Sequence, residues 1–217
     1  MQRVQRGFTL IEVLVVVSIL GVLAGLISIL VVQAGGKRLQ METEMVVKTQ
    51  LPTAVHRFRD ELKKLPPMTM AELGQFPGWS GLSVTGNTTN DCVECLYVAL
   101  RHKDLTTPLT ELAGAKPFGN TDDDIWNKVP EGSDAPEAKE ILDAWGNPIA
   151  YITKNAYNSP VRLVKADGTE IEVHAAKRPS GVFYNPDGFQ IISLGKNGVQ
   201  DDSSDGDDVE NFTREDE

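Results

Sequence analysis

The hydrophobic pattern of this chain begins with one long apolar run. No charged side chain occurs between Val13 and Gly36. A helix rises about 1.5 Å per residue, so a run of this length covers the roughly 30 Å hydrocarbon core of a bilayer. The pattern therefore predicts a transmembrane helix over residues 8–34.

Beyond this run the apolar residues recur at helical spacing and charged residues flank them. Three or four positions separate the members of one apolar stripe: Val47, Leu51, Val55, Phe58, Leu62 and Leu65. Such a stripe is typical of an amphipathic helix whose apolar face packs on a globular domain. We expect this continuation of the helix over residues 35–66. Pro52 removes the backbone donor to Lys48, which predicts a kink or a loosened turn.

The remaining residues, 67–217, have the pattern of a globular head with short elements. Helical spacing is present near residues 69–73 and over residues 92–100, where Leu96, Ala99 and Leu100 form the predicted inner face. Strand patterns follow over residues 148–152, 162–165, 170–173, 182–184 and 189–194. A long N-terminal helix packed on a small antiparallel sheet is an α+β fold.

Charge and motifs limit the function classes. The net charge is −10, and residues 201–217 carry nine acids against Arg214 alone. Phosphate binding needs clustered Lys and Arg, so we expect no nucleic-acid partner. The chain has no Gly-x-Ser-x-Gly motif and no phosphate-binding loop, and its three histidines lie in unrelated contexts. We therefore expect no enzymatic activity.

The two cysteines, Cys92 and Cys95, are too few for a four-ligand zinc site. In an oxidising compartment they suit a short disulfide. The alternative is a redox-active pair, which would make the chain a membrane-anchored redox or binding domain. The pattern leaves both interpretations open.

The segment from Arg6 to Val17 carries the most specific motif: Gly7-Phe8-Thr9-Leu10, then Glu12 and the apolar run. It resembles the class III signal of type IV pilins and type II secretion pseudopilins. The resemblance implies that a prepilin peptidase removes residues 1–7, cuts between Gly7 and Phe8, and methylates the new amine. It also implies that Glu12 offsets the terminal amine of a neighbouring subunit. An ordinary secretory signal or a plain single-pass anchor is the alternative.

Two further segments resemble the major pseudopilins of type II secretion. Residues 143–151 match the family's Asp-x-Trp-Gly-Asn-Pro-x-x-Tyr pattern, which we interpret as a turn into a strand without chemistry. Residues 193–209 resemble its C-terminal calcium loop. The resemblance implies a structural calcium ion with carbonyl or side-chain ligands from Leu194, Asn197, Val199, Asp205, Asp207 and Asp208.

This loop departs from the family pattern at two points. Asn197 replaces the usual aspartate, which should weaken binding, and an expanded stretch adds Asp201 and Asp202 as further candidates beside Asp205. The alternative is an acidic, solvated tail, since blocks of like charge are often disordered.

The resemblance as a whole implies a structural subunit of a periplasmic pseudopilus, the filament that drives protein export in type II secretion. A single pass would anchor it in the bacterial inner membrane with the head in the periplasm. Implied partners are further copies of the chain, other pseudopilins, the prepilin peptidase, and an inner-membrane assembly platform with its ATPase. A type IV pilin or a minor pseudopilin is the alternative within this class.

Overall fold

A computed structural model describes residues 10–85, 89–102, 104–131, 133, 136–201 and 206–214, without the side chains of residues 26–33. The predicted leader, with Gly7, lies outside these residues, and so do Phe8 and Asp205. The chain divides into two units, residues 1–39 and residues 40–217.

The first unit contains most of helix α1 (Leu10–Met45). This helix contains no proline that would remove a backbone hydrogen bond. Its apolar side chains from Leu10 to Leu23 are exposed. Within the part of the chain whose side chains are described, no helix is long and apolar enough to cross a bilayer. The transmembrane segment predicted over residues 8–34 falls partly outside that part.

The helix changes its winding before Pro52. A π-helical turn (Val46–Gln50) separates α1 from helix α2 (Leu51–Leu62), and the first amide of α2 donates to a carbonyl five residues earlier. Pro52 has no amide hydrogen for the carbonyl of Lys48, so a normal α-helical bond cannot form there. The loosened turn predicted from Pro52 is present. Helix α2 then ends at Lys63 in a left-handed conformation, with φ of 58°.

Helix α3 (Met70–Leu73) is a single turn, as predicted for this region. Its N-cap is Thr69, whose hydroxyl accepts a hydrogen bond from the Glu72 amide at 3.2 Å.

Helix α4 (Asp91–Leu100) lies in the middle of the head. Every residue from Cys92 to Leu100 is buried, so the prediction of one inner face was too narrow. Helices α2 and α3 and two later strands, Glu140–Ile141 and Ala150–Thr153, contact α4.

In the described part of the chain, the strands form four antiparallel groups. Strand β1 (Val84–Thr85) pairs with β3 (Ile125–Trp126), and β2 (Phe118–Gly119) pairs with β4 (Glu140–Ile141). The central sheet has the order β5–β8–β9 and consists of β5 (Ala150–Thr153), β8 (Phe189–Ser193) and β9 (Val209–Glu210). Strands β6 (Val161–Val164) and β7 (Glu170–Val173) form the predicted hairpin. The α+β fold class is confirmed.

The apolar stripe of the helix packs on this head. Its members Val47, Leu51, Val55 and Phe58 are buried, Leu62 and Leu65 are partly buried, and the neighbouring Val46 is buried as well. The π-helical turn contacts β8 and β9, and α2 contacts α4. The prediction of an amphipathic helix packed on a sheet is therefore correct for this part of the chain.

Two local predictions were wrong. Residues 182–184 form no strand, and only an isolated bridge joins Lys177 to Phe183. Residues 116–137, where the sequence pattern indicates no strand, contain β2 and β3, whose partners lie far away in the sequence.

Candidate functional site

Glu12 lies in the first turn of helix α1 and is exposed. A carboxylate at this position interacts favourably with the partial positive charge of a helix N-terminus. The predicted processing residues Gly7 and Phe8 lie outside the described residues. Glu12 is thus exposed on the surface of helix α1.

The predicted C-terminal loop is fixed at its start by Asp143. The Ser193 hydroxyl donates to Asp143 Oδ2 at 2.8 Å, and the amides of Trp145 and Asn147 donate to Asp143 Oδ1 at 2.9 Å. The side-chain amide of Asn147 then donates to the carbonyl of Gly195 at 2.8 Å. Burial raises the pKa of Asp143, while these hydrogen bonds act against the rise. Residues 143–147 thus position the start of the loop through these hydrogen bonds.

Three acids converge in this loop. One carboxylate oxygen from each of Asp201, Asp207 and Asp208 lies within 4.8 Å of the other two. The Asp201 amide donates to Asp208 Oδ2 at 2.8 Å, and the Asp207 amide donates to Asp201 Oδ2 at 3.2 Å. Burial, together with the neighbouring charges of Asp201 and Glu210, raises the pKa of Asp208 to about 7. The loop concentrates negative charge on oxygen atoms.

Three other predicted ligands, Leu194, Asn197 and Val199, lie in or beside the turn at residues 195–198. The Asn197 amide donates to Asp207 Oδ2 at 2.9 Å, and the Asn197 side-chain amide donates to Asp201 Oδ2 at 3.2 Å. Asn197 Oδ1 accepts from the Val199 amide at 2.7 Å. The carbonyl of Leu194 accepts a hydrogen bond from the Gly198 amide at 3.1 Å. The structure therefore brings Asn197, Asp207 and Asp208 together and adds Asp201, a secondary candidate in the sequence.

These residues fit a calcium ion. The Oδ1 atoms of Asp207 and Asp208 are buried and have no hydrogen-bond partner among the residues that the structure describes. Gly195 has φ of +59°, and a side chain there would collide with the carbonyl of Asp207. The turn thus approaches the acids more closely than any other residue type would permit. Carboxylate and amide oxygens are the ligands that calcium prefers.

Cys92 and Cys95 are free thiols buried in α4, so the disulfide considered from the sequence is not formed. Burial raises the pKa of Cys92 to about 12 and the pKa of Cys95 well above its usual value. Because the thiolate is the reactive form of cysteine, buried thiols of this kind are poor redox groups. The geometry disfavours a redox site at these residues.

Comparison with known families identifies the N-terminal segment. The family model described as the prokaryotic N-terminal methylation motif matches residues 2–28. This match includes the Gly7-Phe8 junction and Glu12, and it supports membership of the type IV pilin-like superfamily. Such a motif implies processing by a prepilin peptidase, methylation of the new N-terminus and a membrane-anchored N-terminal segment. No solved structure matches the chain.

Proposed function

We propose that this protein is a structural, non-enzymatic subunit of a pilus-like filament, namely the pseudopilus of a type II secretion system. The observation that carries the proposal is the methylation motif over residues 2–28, in which Gly7 and Phe8 precede Glu12. The long helix α1 and the α+β head are the parts that a filament subunit of this type needs.

The proposed mechanism is assembly, with no chemical step after processing. Peptidase cleavage exposes the amine of Phe8, and the chain waits in the inner membrane with its head in the periplasm. An assembly platform and its ATPase then move each subunit into the filament. There Glu12 meets the Phe8 amine of a neighbour. Once the filament buries both charges, each needs the other, because removing one partner of a buried charge pair costs about 3–5 kcal/mol.

The first test is the intact mass of the full chain expressed with and without a prepilin peptidase. We expect a peptidase-dependent product that begins at N-methylated Phe8. Gly7→Leu, which places a bulky side chain at the junction, should abolish this product, whereas Gln5→Ala in the leader should not. An uncleaved wild-type chain in the presence of an active peptidase would overturn the proposal.

A second test separates the pseudopilus from the alternatives of the same class. The processed chain is expressed with the assembly platform of a type II secretion system or with that of a type IV pilus. Filaments that form with the first platform alone support the pseudopilus. Filaments that form with the second alone identify a type IV pilin, and filaments that contain only traces of this chain identify a minor pseudopilin.

We further propose that a calcium ion stabilises the C-terminal loop. Asn197, Asp201, Asp207 and Asp208 would hold the ion, with backbone carbonyls near Leu194. An ion that binds the native head but not the unfolded chain adds to stability by linkage. The role of these residues is to hold the loop after β8 in place as it returns to β9.

The full chain in detergent, freed of metal by a chelator, tests this role. Added calcium should raise the melting temperature of the wild type, and Asp207→Asn with Asp208→Asn should reduce that rise. Asp187→Asn, an exposed acid in another turn, is the matched control and should leave the rise unchanged. A calcium response that is equal in all three chains would exclude this loop as a calcium site.

A further inference from the structure

A second group of acids lies inside the head, beside helix α4. Glu94 on α4 and Glu140 on β4 are fully buried, and Asp122 is half-buried in the loop between β2 and β3. One carboxylate oxygen from each of the three lies within 4.8 Å of the other two. Asp91 and Asp124 add negative charge to the same region.

Glu94 is the residue that points to a ligand. Both of its carboxylate oxygens are buried, and neither has a hydrogen-bond partner in the described part of the chain. By contrast, Glu140 accepts from the Asn90 side-chain amide at 3.0 Å and from the Thr121 amide at 2.9 Å. Asp122 Oδ2 is also buried and has no hydrogen-bond partner among the described residues. Buried polar groups in native proteins nearly always have a partner, so these oxygens require an explanation.

The charges around Glu94 have the same sign as its own. The pKa of Glu94 is raised to about 10. Burial is the largest cause, and the charges of Asp122, Glu140, Asp91 and Asp124 contribute to the same rise. Burial also raises the pKa of Glu140 to about 7 and that of Asp122 to about 6. Burying an ionised carboxylate without a counter-charge costs several kcal/mol. Either protons or a cation must remove that cost.

Protons do not satisfy the whole group. Asp122 and Glu140 can share one proton, since a hydrogen bond with Glu140 lowers the pKa of Asp122. A proton on Glu94 itself, which the rise in its pKa favours, removes its charge but leaves both of its oxygens without a hydrogen-bond partner among the described residues. A cation, in contrast, interacts with all three carboxylates at once.

We propose that Glu94, Asp122 and Glu140 bind a hard divalent cation of the calcium type inside the head. Calcium takes oxygen ligands at about 2.3–2.6 Å, so two ligands of one ion lie no more than about 5 Å apart. The three carboxylate oxygens all lie within 4.8 Å of one another, which is inside this limit. A set of oxygen ligands alone favours calcium or magnesium over zinc, which prefers nitrogen and sulfur.

The ion would join three elements that are distant in the sequence: helix α4, strand β4 and the loop between β2 and β3. This site is separate from the C-terminal loop, and it does not depend on the filament proposal. Its role is structural, because it fixes the segment between α4 and the central sheet.

The test must separate the two calcium sites. The parent is the full chain in detergent with Asp207→Asn and Asp208→Asn, which removes two acids of the C-terminal loop. After chelation, calcium is titrated into this parent by calorimetry, and bound calcium is counted after dialysis. We expect the parent to bind calcium. Glu94→Gln should lower its calcium affinity about tenfold or more, since even changes to residues around a metal site cost about 10–100-fold in affinity. Glu172→Gln, an exposed acid on β7, is the control and should retain binding.

The metal-free chains provide a second readout. Glu94→Gln removes a buried charge without changing the shape of the side chain, so it should be at least as stable as the parent in chelator. It should also lack the rise in melting temperature that calcium gives the parent. If Glu94→Gln does not fold, Asp122→Asn takes its place in both experiments. A parent that binds no calcium, or a Glu94→Gln chain that binds it as the parent does, would overturn the site and leave shared protons as the explanation.

Discussion

At the scale of single residues, Gly195 controls how closely the turn after β8 approaches the acids of the loop. Its φ is +59°, and a Cβ there would lie 2.7 Å from Cγ of Asp207 and collide with the Asp207 carbonyl. We predict that Gly195→Ala lowers the free energy of unfolding by more than the roughly 1–2 kcal/mol that a left-handed residue costs. Calcium affinity should fall as well. Thermal unfolding with and without calcium measures both effects.

Gly198→Ala is the matched control for this prediction. Gly198 also has a left-handed backbone, with φ of +64°, but its Cβ would meet the flexible end of Lys165, 3.1 Å from Nζ. The long side chain can move away, and the remaining contact, 3.3 Å to Asn147 Oδ1, is much looser than that of Gly195 with Asp207, so the backbone cost dominates. Equal losses in the two variants would show that the close contact between Gly195 and Asp207 has no effect on stability.

Asp143 gives a second prediction at this scale. Its carboxylate accepts hydrogen bonds from the Ser193 hydroxyl and from the amides of Trp145 and Asn147. Asp143→Ala leaves these donors without an acceptor, so we predict a loss of about 2–3 kcal/mol, given that each unpaired buried group costs about 1–3 kcal/mol. Asp143→Asn keeps one oxygen and should lose less. Urea unfolding compares them, and equal losses would contradict the role of the amide contacts.

The residues of the C-terminal loop were predictable because they are close in the sequence. Asn197, Asp207 and Asp208 follow a recognisable motif, and the structure brings them together. The group of Glu94, Asp122 and Glu140 was not predicted, because distant segments supply its members. One local signal was available, since Glu94 is an acid within the otherwise apolar run of residues 92–100.

At the scale of elements, the apolar stripe of α2 makes a large contribution to the core. Phe58 is fully buried and its ring lies 5.7 Å from the ring of Phe76. We predict that Phe58→Ala costs about 3–5 kcal/mol, the range for removing a buried aromatic side chain. Arg59→Ala, on the exposed face of the same helix, should change stability by no more than about 0.5 kcal/mol. Chemical denaturation of the two variants measures the difference, and similar values would mean that α2 is not packed as described.

Elements with local patterns were predictable, and elements with distant partners were not. The hairpin of β6 and β7 has Asp167-Gly168 at its turn, and the Asp167 side chain accepts from the Thr169 amide at 2.9 Å. In contrast, β1 and β2 contain two residues each and pair with strands far along the chain. No periodicity can develop over two residues, so only tertiary contacts define such strands.

At the scale of the whole molecule, the order of elements determined what could be predicted. One long helix followed by antiparallel strands indicates an α+β fold before any contact is known. The central region between residues 68 and 140 matched no recognised motif; it contains α4, which contacts α3 within the region and β4 at its end. Function follows from the other end of the chain, where the methylation motif and Glu12 lie.

Glu12 therefore provides the prediction that concerns the whole assembly. Glu12→Gln keeps the size of the side chain and removes its charge, while the junction at Gly7 and Phe8 stays unchanged. We expect normal cleavage and methylation, but a yield of sheared filaments at least tenfold lower than that of the wild type. The reason is that each neighbouring Phe8 amine would be buried without a partner, at a cost of about 3–5 kcal/mol.

Glu12→Asp distinguishes charge from shape. It keeps the carboxylate on a shorter side chain, so it should assemble better than Glu12→Gln although its geometry differs more from the wild type. If shape were decisive, the order of the two variants would be reversed. Filaments from Glu12→Gln in normal amounts would show that no charge pair forms between subunits, and Glu12 would then have no role in assembly beyond its favourable position in the first turn of α1.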